Sequence, residues 1–231
     1  TGSFATVWLA TKDRTPVAIK AVDRSRLTKK LRANLDDEIK DGKIRIECDP
    51  IMVKFVHEDF NFKKGSSFLS SRFEEILTKF WPIYYEAIRD SKLDDFPYKG
   101  RNIDLIEEIR VDGHTNSDSD YIDNTMLSQE RARRVLVYLL RLQMGKSGDP
   151  SREWFELENF NTEDLWLFEK VTANGLSFSK PLGSEKEWEP ISLKQAQNGE
   201  EDKERSKRVE IVLRTNSAKI LEMIKEENLY E

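Results

Sequence analysis

From Asp41 onward the apolar positions switch between two periods. Asp41-Gly42 is a turn signal, after which Ile44 and Ile46, then Ile51, Val53 and Phe55, alternate with polar neighbours in the period-two pattern of half-buried strands. Phe60-Asn61-Phe62 followed by Lys63-Lys64-Gly65 reads as a strand end and turn. Phe73, Ile76, Leu77, Phe80, Tyr84, Ala87 and Ile88 then recur at helical spacing, the mark of a core face rather than a ligand site. Ser71 and Glu74 form a capping box at its start, and Pro82 predicts a kink or break near Trp81. Ile109 and Val111 alternate with Arg110 and Asp112, a strand that carries His114 to its carboxyl end, where α/β folds place ligand loops. A second amphipathic helix shows in Ala132, Val135, Leu136, Leu139 and Leu140, with Ser128 as its N-cap. Residues 168–178 read as another strand, and Val209, Ile211 and Leu213 as a further one, with Ile220, Leu221 and Ile224 on a short final helix. Strands and helices in this alternation predict an α/β sandwich with helices packed on a mixed sheet.

Three stretches interrupt the pattern. Residues 90–104, with Pro97 and Gly100, form a long loop. Residues 145–168 begin with a turn-rich break and carry Trp154, Phe155, Phe160, Leu165, Trp166 and Phe168, an extra packed segment or an exposed partner surface, the first being favoured. Residues 183–205 are polar and without period, a solvated insertion anchored by Trp188. Residues 1–41 stand apart in character, as a short hairpin and helix appended to a domain at 42–231 or as a chimeric join.

The chain has 231 residues, 35% charged and 38% apolar, with a net charge of -5. That length permits a substantial core, and the acidic balance argues against nucleic acid or an anionic membrane surface as a partner. Cys48 is the single cysteine, which excludes an internal disulfide and a cysteine-based zinc cluster. No run approaches the roughly 20 apolar residues of a spanning helix. A chain that opens at Thr1 without a leader reads as a fragment or processed product, its anchor or export signal lying in a missing part.

The densest candidate chemistry lies at Gly113-His114-Thr115-Asn116 and runs through Asn124, Leu127-Ser128 and Arg131-Ala132 to Val135. A polar loop, a capped helix start and a guanidinium in the first turn would together make an anion site. Arg131 offers a planar pair of donors suited to a carboxylate, with a surface pairing to Asp112 or Glu130 as the plainer alternative. Asn116, Asp118 and Asp120 fall at calcium-loop spacing, but Tyr121 stands where glycine is needed and Leu127 where a bidentate Glu is needed. His114 lacks a second histidine at metal spacing, and no Ser/His/Asp or Cys/His grouping points to nucleophilic catalysis. Neither a metal, a cofactor nor an enzymatic activity is expected.

This run resembles the signature of OmpA/MotB-like peptidoglycan-binding domains, G-H-T-D-x-x-G-x-x-x-x-N-x-x-L-S-x-x-R-A-x-x-V. Gly113, His114, Thr115, Asn124, Leu127, Ser128, Arg131, Ala132 and Val135 match in register, while Asn116 replaces the family Asp and Ser119 a Gly. Ser206-Lys207-Arg208-Val209-Glu210-Ile211 resembles the family's closing N-R-R-V-E-I, and Gly175 through Pro181 a weakened G-x-G-x-x-x-P turn. The resemblance implies an OmpA-like β-α-β-α-β-β fold and anchoring to peptidoglycan in the bacterial envelope. In that family the motif Asp takes the ammonium and the motif Arg the carboxylate of diaminopimelate in the stem peptide. The peptidoglycan-binding residues it implies here are Asn116, Arg131, Asp118, Asn124, Thr115, His114 and Arg208, with Asp118 or Asp120 able to restore the charge that Asn116 lacks. The Tyr121 loop and the insertions look like wall-binding stator subunits of Zorya anti-phage systems. That likeness implies a periplasmic, membrane-anchored homodimer with a motor partner. Two other readings stay open: an interaction module that kept the fold and lost wall binding, and a nucleotide-binding kinase remnant.

The remnant reading rests on Gly2-Ser3-Phe4-Ala5-Thr6-Val7 and Val17-Ala18-Ile19-Lys20, which resemble the start of an autophagy-type serine/threonine kinase, with Lys20 and Glu38 at the positions of its ion pair. The catalytic H-R-D and D-F-G motifs are absent, and His57-Glu58-Asp59 lacks the downstream Asn, so phosphoryl transfer is not expected.

Overall fold

The computed structural model describes residues 6–10, 16–20, 24–48, 51–56, 60, 62–89, 106–144, 162–183 and 189–215. The aromatic residues Trp154, Phe155, Phe160 and Trp188, the 90–104 loop, His57 and the C-terminal apolar residues lie outside them.

Two strands, β1 (Thr6–Ala10) and β2 (Pro16–Lys20), pair as an antiparallel hairpin. Helices α1 (Arg24–Asn34) and α2 (Asp36–Lys40) follow, and Leu31 and Leu35 are fully buried in the same cluster as the main sheet. The helical half of the extension is therefore continuous with the domain core. The main sheet comprises β3 (Ile44–Cys48), β4 (Ile51–Phe55), β5 (Ile106–Gly113), β6 (Val171–Gly175) and β7 (Val209–Thr215) in the order β3-β4-β7-β5-β6. Only β5 and β6 run parallel. Period-two alternation sets the register: Ile46, Val53, Ile211, Val111 and Ala173 form one row across all five strands.

The next row contains Ile44, Phe55, Val209, Gly113 and Gly175. Its two glycines lie under α4 (Tyr121–Gln143). A Cβ on Gly113 would sit 2.2 Å from the Ser128 carbonyl oxygen, and one on Gly175 2.5 Å from the Gln129 amide nitrogen. Helix backbone thus rests directly on the carboxyl ends of β5 and β6, an approach only glycine allows.

Helix α3 (Ser71–Arg89) buries Phe73, Ile76, Leu77, Phe80, Trp81, Tyr84, Tyr85 and Ile88, and aromatic contacts from Phe73 to Phe55, Phe60 and Phe62 tie it to β4 and the following turn. Two expectations for α3 are corrected. It runs unbroken through Pro82, which lies on the exposed face, where water can take the carbonyl that the missing N–H leaves open. Its cap is Ser70 rather than Ser71, since the Ser70 hydroxyl accepts from the Phe73 amide at 3.1 Å.

The aromatic segment ends in α5 (Thr162–Lys170), with Leu167 buried and Trp166 and Phe168 packed on the core. Phe168 is accordingly helical, and the strand expected over 168–178 is confined to β6. The described part of the 183–205 insertion is ordered: α6 (Leu193–Gln195) begins with a Ser192–Gln195 capping box and continues into a π turn, and Asp202 caps α7 (Lys203–Ser206). Bridges Leu182↔Pro190 and Gly183↔Glu201 fasten this strap to the chain leaving β6. Among the described residues no helix is long and apolar enough to cross a membrane.

Candidate functional site

The signature loop, residues 114–120, joins β5 to α4 and is fixed from several sides. The His114 amide donates to the Arg208 carbonyl at 2.9 Å and the Thr115 amide to the Ser177 carbonyl at 2.9 Å. From the helix side, Asn124 Nδ2 donates to the Ser119 carbonyl at 2.9 Å. Ser177, buried and with φ of 51°, also donates its amide to Ser128 Oγ at 3.0 Å and its hydroxyl to the Tyr121 carbonyl at 3.1 Å. One short turn after β6 therefore braces both the loop and α4.

The helix starts earlier than its apolar stripe. Its N-cap is Asp120, whose carboxylate accepts from the amides of Ile122 and Asp123 at 2.9 and 3.0 Å. Ser128 lies inside the helix, fully buried, donating to the Thr125 carbonyl at 2.9 Å. Arg131 consequently stands in the middle of α4, and the expected first-turn anion site at its guanidinium is corrected: amides and dipole at the helix end do not reach it.

Arg131 is nonetheless unusual. It is 2% exposed, and its Nε donates to the Ser66 carbonyl at 3.0 Å and its Nη2 to the Lys63 carbonyl at 3.5 Å. The guanidinium lies 4.8 Å from the centroid of the Phe62 ring. Neither carboxylate considered as a surface partner reaches it: Asp112 pairs with Arg110 at 2.8 Å, and Glu130 with Arg133 and Arg134 at 2.7 and 3.1 Å. Burial pushes Arg131 down to about 10, with no carboxylate opposing it.

Both acidic candidates in the loop already have partners, of different kinds. Asp120 is consumed by the cap, whereas Asp118 Oδ2 accepts from Asn116 Nδ2 at 2.8 Å. Asn116 is 8% exposed and Asp118 lies at the surface, so the amide at the family's Asp position holds a carboxylate two residues on. Asp118 Oδ1 receives Lys203 Nζ at 2.5 Å, and this ammonium holds the Asp118 carboxyl below its ordinary range. The neighbouring Ser117 hydroxyl donates to Glu201. Lys203 and Glu201 escape sequence reading because their partners are more than 80 residues away and the strap has no period.

His114, Thr115 and Arg208 form a buried layer beneath the loop, each 3% exposed or less. Arg208 Nε donates to Glu210 Oε1 at 2.7 Å and its Nη1 to the Lys180 carbonyl at 3.1 Å. Burial disfavours ionisation of Glu210, but the Arg208 guanidinium bonded to it outweighs burial and holds the carboxyl below its ordinary range. Burial, reinforced by Arg208, pushes His114 down to about 4, so the imidazole is neutral near pH 7. The loop itself is tied here through backbone, the His114 and Thr115 amides donating to the Arg208 and Ser177 carbonyls. Among the described residues no group of three or more His, Cys, Asp or Glu side chains could hold a metal ion.

No protein-family model matches the chain. Over 188 residues it is 28% identical to the Zorya protein ZorB of Escherichia coli, covering 78% of this chain and 64% of that protein. The chain thus spans just under two thirds of that relative. Among solved structures, the cell wall anchor of the T6SS from Pseudomonas aeruginosa superposes with a TM-score of 0.46 at 19% identity, covering 80% of this chain and 97% of the anchor. A MotB-like protein from Desulfovibrio vulgaris gives 0.48 at 18%, covering 84% and 94%. The similarity to ZorB agrees with the OmpA/MotB-like resemblance that the two ordered motifs carry. None of these similarities supports the kinase likeness of residues 1–40. In its place, Glu38 is buried on α2 and takes Arg72 of α3, whose side chain is at the surface, at 3.0 Å.

Proposed function

We propose that this chain is a non-catalytic anchor that holds peptidoglycan through the diaminopimelate of its stem peptide. The observation that carries the reading is Arg131, a buried guanidinium with no carboxylate partner among the described residues. Buried charges are ordinarily paired, because desolvating a lone ion costs several kcal/mol, about 3–5 kcal/mol when one partner of a pair is removed. Two carbonyls and an aromatic face keep Arg131 in place without neutralising it, and a ligand carboxylate would complete it. The ligand's ammonium falls to Asp118, positioned by Asn116, rather than to Asn116 itself. Lys64, in the 63–66 turn gripped by Arg131, adds a weak favourable field at Asp118.

In this reading His114, Thr115, Asn124 and Arg208 position the loop without touching the ligand. The same reading assigns the domain to the periplasm, as the wall-binding part of a paired stator with a motor partner, in line with its similarity to the Zorya protein ZorB. Co-sedimentation with diaminopimelate-type sacculi tests the reading. Wild type should pellet with the sacculi, and D118N, a surface change with an unaltered melting temperature, should weaken retention about fivefold, the scale of losing one charge-assisted contact. Retention that is identical in wild type, D118N and R131A would sink it.

A further inference from the structure

The strap between β6 and β7 places a lysine on the acidic group that the proposed function reserves for the ligand. Asp202 caps α7 through the amides of Glu204 and Arg205 at 3.1 and 3.0 Å, and its own amide donates to the Leu182 carbonyl at 2.8 Å. Arg205 Nη1 donates to the Gly183 carbonyl at 3.2 Å, and the Leu182 amide to Ser206 Oγ at 3.0 Å. Lys203 is thereby delivered from a fastened backbone, and its Nζ meets Asp118 Oδ1 at 2.5 Å. Glu201, in the same strap, reaches the loop at Ser117 with Oε2, while its Oε1 is buried and has no partner among the described residues.

The groups around the ammonium of Lys203 are those a ligand ammonium would need: the Asp118 carboxylate, with Asn116 behind it and Glu201 alongside. We infer that Lys203 is an internal stand-in for the ligand's ammonium, which the stem peptide must displace from Asp118 before the wall is gripped. The inference rests on the proposed peptidoglycan reading and names the residue that sets its affinity. Asp118 and Lys203 side chains are 42% and 56% exposed, so the pair can open without disturbing the core. Displaced, Lys203 keeps the field of the Glu201 carboxylate on the same strap, which favours its charge. The site is thus closed by its own chain at rest and opened by a ligand of the same chemistry, with Lys203 also discriminating against ligands that lack a competing ammonium.

Isothermal titration of the intact chain with a soluble diaminopimelate-containing tripeptide separates the two levels. K203Q should bind about three- to fivefold more tightly than wild type, the fold-change of releasing an exposed ion pair worth up to about 1 kcal/mol. K203R, which keeps the charge, should stay near wild type, and K203Q combined with D118N should lose the gain. Wild-type binding that is unchanged or weakened in K203Q overturns the stand-in while leaving anchoring intact. No binding by either wild type or K203Q overturns the anchoring reading and the inference together.

Discussion

Arg131 and His114 sit a short distance apart in the sequence, and burial treats them differently. The guanidinium keeps its charge and lends its fork to the carbonyls of Lys63 and Ser66. Replacing it by alanine leaves those carbonyls without a donor and empties the space beside Phe62, so R131A should lower unfolding stability by about 2 kcal/mol in urea titrations as well as abolish sacculus retention. R131K, a point charge without the fork, should recover less than half of either effect. His114 behaves oppositely, being pushed down to about 4 and held neutral. Its folded pKa lies below the ordinary 6.5, so the stability it contributes is present above about pH 6.5 and is lost as pH falls toward 4. Between pH 7 and 5 the loss should be about 2 kcal/mol, read as a falling urea midpoint. In H114Q the midpoint should change far less over that interval. Glu210, depressed as well, adds its loss only at lower pH.

At the scale of elements, α4 carries the site on a face that changes character along its length. Asn124, Ser128 and Arg131 are buried polar groups on the face that continues as Val135, Leu139 and Leu140. The apolar half announces the helix, but periodicity counts only apolar positions, so in the sequence the polar half reads as loop and cap. The pattern therefore predicts a start at Ser128, whereas Asp120 is the cap. The same blindness explains the strap, whose order comes from caps and two bridges rather than from burial of a stripe. Strands β3, β4, β5 and β7 were legible because their alternation is regular, and Gly113 was legible as a motif position although its reason was not. That reason is the Ser128 carbonyl at 2.2 Å from where a Cβ would stand. G113A should therefore push α4 off β5, costing about 1–3 kcal/mol in thermal or chemical unfolding, the range for overpacking a tight contact. If G113A unfolds like wild type, the helix does not depend on that approach.

Across the whole molecule, the carboxyl ends of β5 and β6, the amino-terminal half of α4 and the strap meet at one loop, and the 63–66 turn holds Arg131 on the same helix. Each contributes a part that separately would be inert: the sheet sets the loop's height, the turn holds Arg131, Asn116 aims Asp118, and Lys203 occupies it. The departure of Asn116 from the motif is in this account a relay of charge by two residues, not a loss. Net charge of -5 gives no general attraction to an anionic wall, so the proposed retention rests on Arg131 and Asp118. In the proposed reading Arg131 and Asp118 call for a ligand end bearing both a carboxylate and an ammonium, which diaminopimelate has and lysine, lacking the carboxylate, does not. Titration of the chain with two stem tripeptides that differ only in diaminopimelate against lysine at the third position puts that demand to a direct test. Binding of the diaminopimelate peptide at least about tenfold more tightly than the lysine peptide is the predicted result, the scale of one bidentate guanidinium–carboxylate contact. Equal affinity for the two peptides, or affinity for neither, would contradict the account.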